Sequence, residues 1–228
     1  MNILMFGATG MIGQGVLREC LRDPDVHLVT TVARSPSGVA HPKLREVVHG
    51  DLQHFAPIEH ELSGFDACFF CLGVTSAGMT EADYERVTYG IANAAAGTLA
   101  RLNPRMTFIF VSGAGADSSE KGRVMWARVK GKAENAVLRQ PFKASYVFRP
   151  AVVQPLHGIR SRTAAYNILY ALTRPLMPLV RFVFRGNVLT TEQMGKAMLI
   201  AARHGAPKRV LESKDINALI ESRRATTP

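Results

Sequence analysis

Three glycines near the amino terminus have the spacing of a phosphate-binding turn. The first apolar run leads into Gly7-Ala-Thr-Gly10-Met-Ile-Gly13, a G-x-x-G-x-x-G pattern. Gly7 permits a sharp turn, Gly10 lets the backbone approach a pyrophosphate, and Gly13 lets a helix pack close to the strand. The amino terminus of that helix then faces the negative charge. The pattern predicts a dinucleotide site that involves Gly7, Ala8, Thr9, Gly10, Met11 and Ile12.

A cation follows the second predicted strand, where dinucleotide sites distinguish their two common ligands. A site for NAD(H) usually carries Asp or Glu here for the ribose 2′-hydroxyl, and none occurs between Asp25 and Glu46. Arg34 instead offers a planar cation to a 2′-phosphate, with Ser35 and Ser37 as hydroxyl donors. We therefore predict that NADP(H) is preferred over NAD(H). The alternative is that Arg34 is a solvated loop residue.

Two further strand ends are predicted to line the same ligand. Asp51-Leu52 follows the third strand and is suitably placed to approach the adenine. Cys68 and Cys71 have a C-x-x-C spacing, but residues three apart on a strand point to opposite faces, so we expect two core cysteines and no redox pair. The carboxyl end of that fourth strand supplies the remaining candidates, which are Cys71, Leu72, Gly73 and Val74.

The elements that must position these residues alternate between strand and helix. Apolar and β-branched runs predict strands at Asn2–Phe6, Val26–Ala33, Arg45–His49, Phe65–Leu72, Met106–Val111, Ala144–Phe148 and Arg209–Glu212. Helical spacing predicts helices at Met11–Arg22, Glu81–Leu102, around Trp126 and Lys130, at Glu192–His204 and near Asp215–Arg223. This alternation implies an α/β fold, a single doubly wound parallel-sheet Rossmann domain over residues 1–228. Residues 151–228 are expected to form a small substrate-facing or lid region.

The charge of the chain is divided unevenly between its halves. Residues 1–120 carry 8 Lys/Arg against 13 Asp/Glu, whereas residues 121–228 carry 20 against 5. Such a basic half favours anionic partners. The partners left open are a phosphorylated cofactor, an acidic protein and an anionic membrane surface. Nucleic acid is not expected, because no recognised nucleic-acid-binding motif accompanies the charge.

Several other function classes have no support in the sequence. The seven histidines show no metal-ligand spacing, so no metal site is predicted. Three cysteines and an amino terminus without a signal-peptide pattern favour a reducing, cytoplasmic setting. Residues 159–185 mix five arginines with apolar residues, a composition that suits the surface of a membrane better than its interior. A substrate lid or a subunit interface is the alternative for this segment.

Six motifs in order resemble the atypical short-chain dehydrogenase/reductase superfamily, in particular its branch of Tat-interacting-protein-like and bacterial epimerase-like proteins. They are GATGMIG (7–13), FFCLGVT (69–75), DYERV (83–87), VSGAGAD (111–117), ARVKGKAE (127–134) and FRPAVV (148–153). The resemblance covers most of the chain. It implies a Rossmann sheet that binds NADP(H), with Pro150 and Val152 among the cofactor contacts.

The resemblance also assigns catalytic positions and shows one departure. In the superfamily a Ser, a Tyr and a Lys four residues later form the site, and the tyrosine is the acid and base at the substrate oxygen. Lys130 matches the lysine that binds the nicotinamide ribose, and Ser112 lies in the loop of the serine. Trp126 occupies the place of the tyrosine. An indole N–H is a donor only and does not titrate in the useful range.

Two functions remain open from the sequence. The first is an NADP(H)-dependent oxidoreductase acting on a carbonyl or alcohol, in which the proton comes from Ser112 through water, from Tyr89 or from the substrate. The second is a catalytically silent NADP(H)-binding protein with a regulatory or scaffolding role. Trp126 is either a core aromatic beside Val129 and Ala133 or a wall of the nicotinamide pocket. Lys130 either contacts the cofactor or pairs with Glu134.

Overall fold

The main sheet has seven parallel strands among the described residues. The computed structural model of the protein describes residues 1–159 and 187–224. Its strands are β1 (Asn2–Phe6), β2 (Leu28–Ala33), β3 (Leu44–Val48), β4 (Ala67–Phe70), β5 (Thr107–Val111), β6 (Ala144–Arg149), β7 (Val152–Gln154), β8 (Val188–Thr190) and β9 (Val210–Glu212). The order in the main sheet is β3-β2-β1-β4-β5-β6-β9, while β7 and β8 pair separately. This arrangement confirms the predicted doubly wound α/β fold.

Helices cover both faces of the sheet. They are α1 (Met11–Arg22), α2 (Glu81–Glu85), α3 (Ile91–Leu102), α4 (Met125–Arg139), α5 (Thr191–His204) and α6 (Ser213–Arg224), with a 3₁₀ helix at Ala56–Glu61. One apolar cluster lies between the sheet and α1, α5 and α6, and the other lies between the sheet and α3 and α4. Central strands are therefore buried on both faces, which is why their sequences are nearly continuous apolar runs.

Two elements differ from the sequence prediction. The helix predicted at Glu81–Leu102 contains a π-helical turn at Arg86–Gly90, which separates α2 from α3. A π-helical turn widens the helix locally, and it could not be predicted from a local sequence pattern. The short β7–β8 pair was also not predicted, because each strand has three residues and the pairing joins Val152 to Val188 across a long stretch of chain.

Helices α1 and α5 cross with their backbones almost in contact. A β-carbon added to Gly15 would lie 2.4 Å from the Cβ of Thr191, and one added to Gly195 would lie 2.7 Å from the Cβ of Glu19. Neither position has room for a methyl group. The two glycines therefore hold α5 against the helix that begins at the glycine-rich turn.

We expect Gly15→Ala to lower the free energy of unfolding by about 1–3 kcal/mol, because the methyl group must displace the backbone of α5. Gly97→Ala is the matched control, since Gly97 lies within α3 with no atom near its missing β-carbon. There the better helix propensity of alanine should raise the free energy of unfolding by about 0.5–1 kcal/mol. Urea unfolding of both variants measures the difference, and effects of the same sign would contradict the packing argument.

Candidate functional site

The carboxyl ends of the parallel strands form one edge of the sheet, which we call the carboxyl edge. At this edge β1 lies between β2 and β4, and the chain connections leave β1 and β4 in opposite directions. Such a switch point opens a crevice in which doubly wound folds bind their ligands. The loops that follow β1, β2, β4, β5 and β6 all reach this crevice.

The glycine-rich turn after β1 lies directly on the end of β4. Gly7 has φ +75°, and a β-carbon there would lie 2.5 Å from the backbone nitrogen of Leu72. A β-carbon on Gly13 would lie 1.9 Å from the carbonyl oxygen of Gly7. Only glycine tolerates both the left-handed conformation and the contact at position 7. The turn is thus fixed against both β4 and α1.

The amino terminus of α1 has no side chain that caps it. Gly10 is the N-cap residue and makes no side-chain hydrogen bond, whereas α5 begins with a capping box formed by Thr190 and Gln193. The first backbone N–H groups of α1 are therefore left to an external acceptor. Ala8 is buried, and Thr9, Met11 and Ile12 are half-buried around this terminus. Together with the helix dipole, these N–H groups favour an anion.

A cavity of about 320 Å³ lies between the glycine-rich turn and the end of β2. Its lining comprises Gly7, Thr9, Val32, Ala33, Arg34, Ser35, Leu52 and Leu72. Arg34 is exposed and forms no hydrogen bond or ion pair with the residues that the structure describes. Asp51, in contrast, is not part of the lining. Its carboxylate accepts the N–H of Gln53. Of the two predicted adenine neighbours, only Leu52 faces the cavity.

Glu46 approaches the same loop and was not identified from the sequence as a site residue. Its Oε1 accepts the backbone N–H of Ser37 at 2.7 Å. The side chain comes from β3, where Glu46 is the register partner of Thr31. A search along the loop alone does not find it, because the contact depends on the pairing of β2 with β3. This carboxylate holds the loop that carries Arg34.

The end of β4 contributes its backbone and the half-buried thiol of Cys71 to the crevice. Cys68 packs in the cluster with α3 and α4, while Cys71 packs against the cluster with α1, so the two cysteines lie on opposite faces as predicted. Burial raises the pKa of the Cys71 thiol far above its usual range. The thiol therefore stays neutral and unreactive. Gly73 and Val74 follow as exposed residues of the crevice.

Ser112 follows β5 and is buried without a hydrogen-bond partner for its Oγ among the described residues. Its backbone N–H extends the pairing with β6 by donating to the carbonyl of Phe148. An unsatisfied buried hydroxyl costs about 1–3 kcal/mol unless a ligand or water supplies its partner. This hydroxyl is the polar group that a ligand at the end of β5 would satisfy.

Helix α4 is held to the crevice by a backbone contact at Gly131. A β-carbon there would lie 1.7 Å from the carbonyl oxygen of Asp117, and the N–H of Asp117 donates to the carbonyl of Ala127. The carboxylate of Asp117 closes its own loop by accepting from Ser119 and Gly122, and these hydrogen bonds lower its pKa. The loop and α4 thus form one unit, which sets the position of the side chains on the first turns of α4.

Lys130 and Trp126 both lie on the side of α4 that faces the crevice. The Nζ of Lys130 lies 5.7 Å from the centroid of the Phe110 ring, and a β-carbon added to Gly73 would be 3.8 Å from it. Trp126 is half-buried, with its benzo ring beside Gly115. The lysine therefore reaches across from α4 to the ends of β4 and β5. Trp126 therefore contacts the loop after β5 and is not one of the fully buried residues of α4.

Glu134 does not pair with Lys130, the alternative that the i, i+4 spacing had left open. The carboxylate is fully buried and accepts from the Arg149 Nε at 3.0 and 3.2 Å, and from Arg149 Nη2 as well. Glu134 is the first cause of a raised pKa at Arg149. The pair joins α4 to the end of β6, where Pro150 is buried and Val152 is 39% exposed. Pro150 and Val152, two predicted cofactor contacts, therefore lie just after a strand end that this ion pair holds in place.

The segment predicted to touch a membrane falls almost entirely outside the described residues. Of residues 159–185, the structure describes Ile159 alone. Among the helices of residues 1–159 and 187–224, none is long and apolar enough to cross a bilayer. The predicted role of this segment therefore stays a prediction.

Comparisons with known proteins agree with this geometry. A model of the NAD(P)H-binding family matches residues 7–148. Protein FMP52-1, mitochondrial, of Scheffersomyces stipitis is 27% identical over 91% of both chains. Protein FMP52, mitochondrial, of Debaryomyces hansenii is 26% identical over 86% of this chain and 85% of its own length. The names of these relatives contradict the prediction of a cytoplasmic setting, which rested only on cysteine content and the lack of a signal-peptide pattern.

Solved structures show the same fold at low identity. Yeast methylglyoxal/isovaleraldehyde reductase Gre2, complexed with NADPH, has a TM-score of 0.67 at 15% identity and covers 93% of this chain and 78% of its own. The Bordetella bronchiseptica enzyme WbmF, in complex with NAD⁺, has a TM-score of 0.67 at 13% identity, covering 100% and 79%. These neighbours confirm the expected Rossmann fold.

We expect Arg149→Met to lower the free energy of unfolding by about 3–5 kcal/mol, because it leaves the buried carboxylate of Glu134 without its partner. The double variant Glu134→Leu/Arg149→Met should regain most of that loss. Glu212→Gln is the control, since Glu212 is half-exposed and reaches Arg149 only at 3.4 Å, and its effect should stay below about 1 kcal/mol. Chemical denaturation of the four proteins tests this, and equal losses in Arg149→Met and Glu212→Gln would contradict it.

Proposed function

Because the chain belongs to this NAD(P)H-binding family, we propose that it binds NADP(H) in the crevice and acts as an atypical short-chain dehydrogenase/reductase-like oxidoreductase on a carbonyl or an alcohol. The observation that carries the proposal is the uncapped amino terminus of α1, held by Gly7 and Gly13 against the switch point. The names of the curated relatives support a mitochondrial setting.

The pyrophosphate is assigned to the glycine-rich turn. The N–H groups at the start of α1 donate to its oxygens, and the absence of a side chain at Gly10 lets it approach the backbone. Anion binding at this position requires no charged side chain. The rest of the cofactor then extends in two directions along the carboxyl edge.

The adenosine half is assigned to the cavity of about 320 Å³, with Leu52 and Val32 in its apolar lining. Arg34 and Ser35 border the same cavity, and Arg34 has its guanidinium uncommitted among the described residues. An adjoining cavity shares Thr9 and adds Arg22, whereas Arg18 in its lining is paired with Glu19. The uncommitted guanidinium of Arg34 supports a 2′-phosphate and hence NADP(H) over NAD(H).

The nicotinamide half is assigned to the ends of β4, β5 and β6. When bound, the nicotinamide supplies or accepts a hydride. Lys130 reaches its ribose from α4, Gly73 and Val74 border the ring, and Pro150 and Val152 lie beyond it. The Ser112 hydroxyl donates to the substrate oxygen, which would satisfy a buried group that has no partner in the described part of the chain. Trp126 forms an aromatic wall that keeps water from the reacting atoms.

A second candidate function rests on Trp126 itself. The indole replaces the phenol that moves a proton in the superfamily, so the protein would bind NADP(H) without turnover and report the nucleotide to a partner. The basic second half of the chain would then favour an acidic protein. The two candidates differ in whether the unsubstituted protein reduces carbonyls.

We expect Arg34→Ala to weaken NADPH binding about tenfold to a hundredfold and to leave NADH binding unchanged, because only NADPH carries the 2′-phosphate. Trp126 is the single tryptophan of the chain, so quenching of its fluorescence reports binding in the crevice. Arg105→Ala is the control, since Arg105 lies in the turn that precedes β5, at the opposite edge of the sheet. An equal loss for both nucleotides would argue against the preference.

Trp126→Tyr separates the oxidoreductase from the silent binder. If the natural protein is silent, the new phenol should produce NADPH-dependent carbonyl reduction where none was measurable, a gain on the order of 10²–10⁴ for a general acid. If the protein is an oxidoreductase, the unsubstituted chain already turns over and Trp126→Phe retains that activity. A panel of aldehydes and ketones followed by NADPH consumption distinguishes the two, with Trp126→Phe as the control for loss of the indole.

A further inference from the structure

Lys130 is a half-buried ammonium that lacks a carboxylate partner among the described residues. Its Nζ faces the Phe110 ring and the backbone of Gly73, neither of which carries a charge. Glu134, one helical turn away, is committed to Arg149. Burial favours the neutral amine and lowers the pKa of Lys130 to about 8, although the field of Glu134 opposes the shift. The amine is thus able to gain and lose a proton near neutral pH.

Lys132, on the same helix, shows how an ion-paired environment changes the pKa of a lysine. Lys132 pairs with Glu85, and its Nζ lies 4.6 Å from the centroid of the Tyr89 ring. The hydrogen bond with Glu85 raises the pKa of Lys132. Two residues along a helix correspond to about 200° of rotation, so Tyr89 packs under a different side of α4 from Lys130. The ring face of Tyr89 therefore contacts Lys132, and no contact joins Tyr89 to Lys130 among the described residues.

Three other side chains near the ends of β4, β5 and the start of α4 are poor proton donors. Trp126, one turn before it, has an indole N–H that does not titrate in the useful range. Cys71 at the end of β4 has a thiol whose pKa burial raises far above its usual range. Ser112 at the end of β5 has a hydroxyl that hydrogen-bonds but is too weak an acid to act alone. Of these side chains, Lys130 is the one whose pKa lies near neutral pH.

We propose that Lys130 is the proton donor of this site and takes the role that the missing tyrosine would have played. This inference rests on the proposed function. In carbonyl reduction, the carbonyl carbon receives the hydride, the carbon–oxygen π bond breaks, and the oxygen takes a proton from the Lys130 ammonium. The products are the alcohol, the oxidised cofactor and a neutral amine, which regains its proton from water. The Ser112 hydroxyl hydrogen-bonds to the same oxygen and holds it in place.

The proposal fixes the sign of the pH dependence. Carbonyl reduction requires the ammonium, so kcat/KM should be constant below about pH 8 and fall about tenfold per pH unit above it. Alcohol oxidation requires the neutral amine, so its kcat/KM should rise with pH and level off above the same value. A lysine that only binds the ribose would affect nucleotide affinity and produce no mirrored pair of profiles.

The first test needs no substrate. Trace acetylation of the full chain, read residue by residue by mass spectrometry, gives the fraction of neutral amine at each lysine. We expect Lys130 to become reactive with a midpoint near pH 8, while Lys132 stays protonated through the same range. Parallel reactivity of the two lysines would overturn the proposal.

The second test compares Lys130→Arg with Lys132→Arg. Arginine keeps the positive charge but does not release its proton. We expect Lys130→Arg to lower kcat/KM for a panel of aldehydes and ketones by about 10²–10⁴ and to abolish the step near pH 8. Because arginine keeps a cation beside the ribose, NADPH affinity should fall by much less than kcat/KM does. Lys132→Arg should keep both the rate and the step. NADPH affinity is measured by quenching of Trp126 in every variant.

Further outcomes would also decide against the proposal. Retention of the pH step in Lys130→Arg overturns it, and so does a loss of NADPH affinity that accounts for the whole fall in kcat/KM. NADPH binding by the unsubstituted protein without reduction of any carbonyl also overturns it and leaves the silent binder standing. Failure of the unsubstituted protein to bind NADPH would instead overturn the proposed cofactor site, and this inference with it.

Discussion

One backbone contact determines how the two halves of the crevice relate to each other. The turn at Gly7 rests on the backbone of Cys71 and Leu72 with no space for a side chain between them. The start of α1 and the end of β4 are therefore fixed together, and Gly73, against which Lys130 lies, follows within two residues. Interiors packed at this density transmit displacements instead of absorbing them. A change that separated the turn from β4 would therefore move the N–H groups at the start of α1 away from the amine of Lys130.

The sequence was sufficient for the parts of the fold that depend on local signals. Buried strands such as Thr107–Val111 show continuous apolar runs, and the predicted helix at Glu192–His204 is present as α5, which begins with a capping box formed by Thr190 and Gln193. The β7–β8 pair and the π-helical turn carry no such signal, because a three-residue strand and a widened turn depend on distant contacts. Even so, all seven predicted strands are present in the main sheet, with ends that differ by up to two residues, as at β2 (Leu28–Ala33) and β4 (Ala67–Phe70).

The site was less predictable than the fold, because its charged side chains pair with residues that are distant in the sequence. An i, i+4 spacing made Glu134 a natural partner for Lys130, yet Arg149 binds that carboxylate with two nitrogens from β6. A planar guanidinium that forms several hydrogen bonds outweighs a single ammonium at a buried carboxylate. Glu46 likewise reaches the Arg34 loop only through strand pairing. In both cases the residues can be recognised in the sequence, but only the tertiary structure shows which charged side chains are paired with each other.

The small β7–β8 ladder has a consequence for the cooperativity of unfolding. It pairs Val152–Gln154, which follow the end of β6, with Val188–Thr190, from which α5 begins. Helix α5 in turn packs on α1 through Gly15 and Gly195. The end of β6 and the helix that follows the glycine-rich turn are therefore joined by hydrogen bonds and packing, and contiguous elements of this kind tend to open as one cooperative unit.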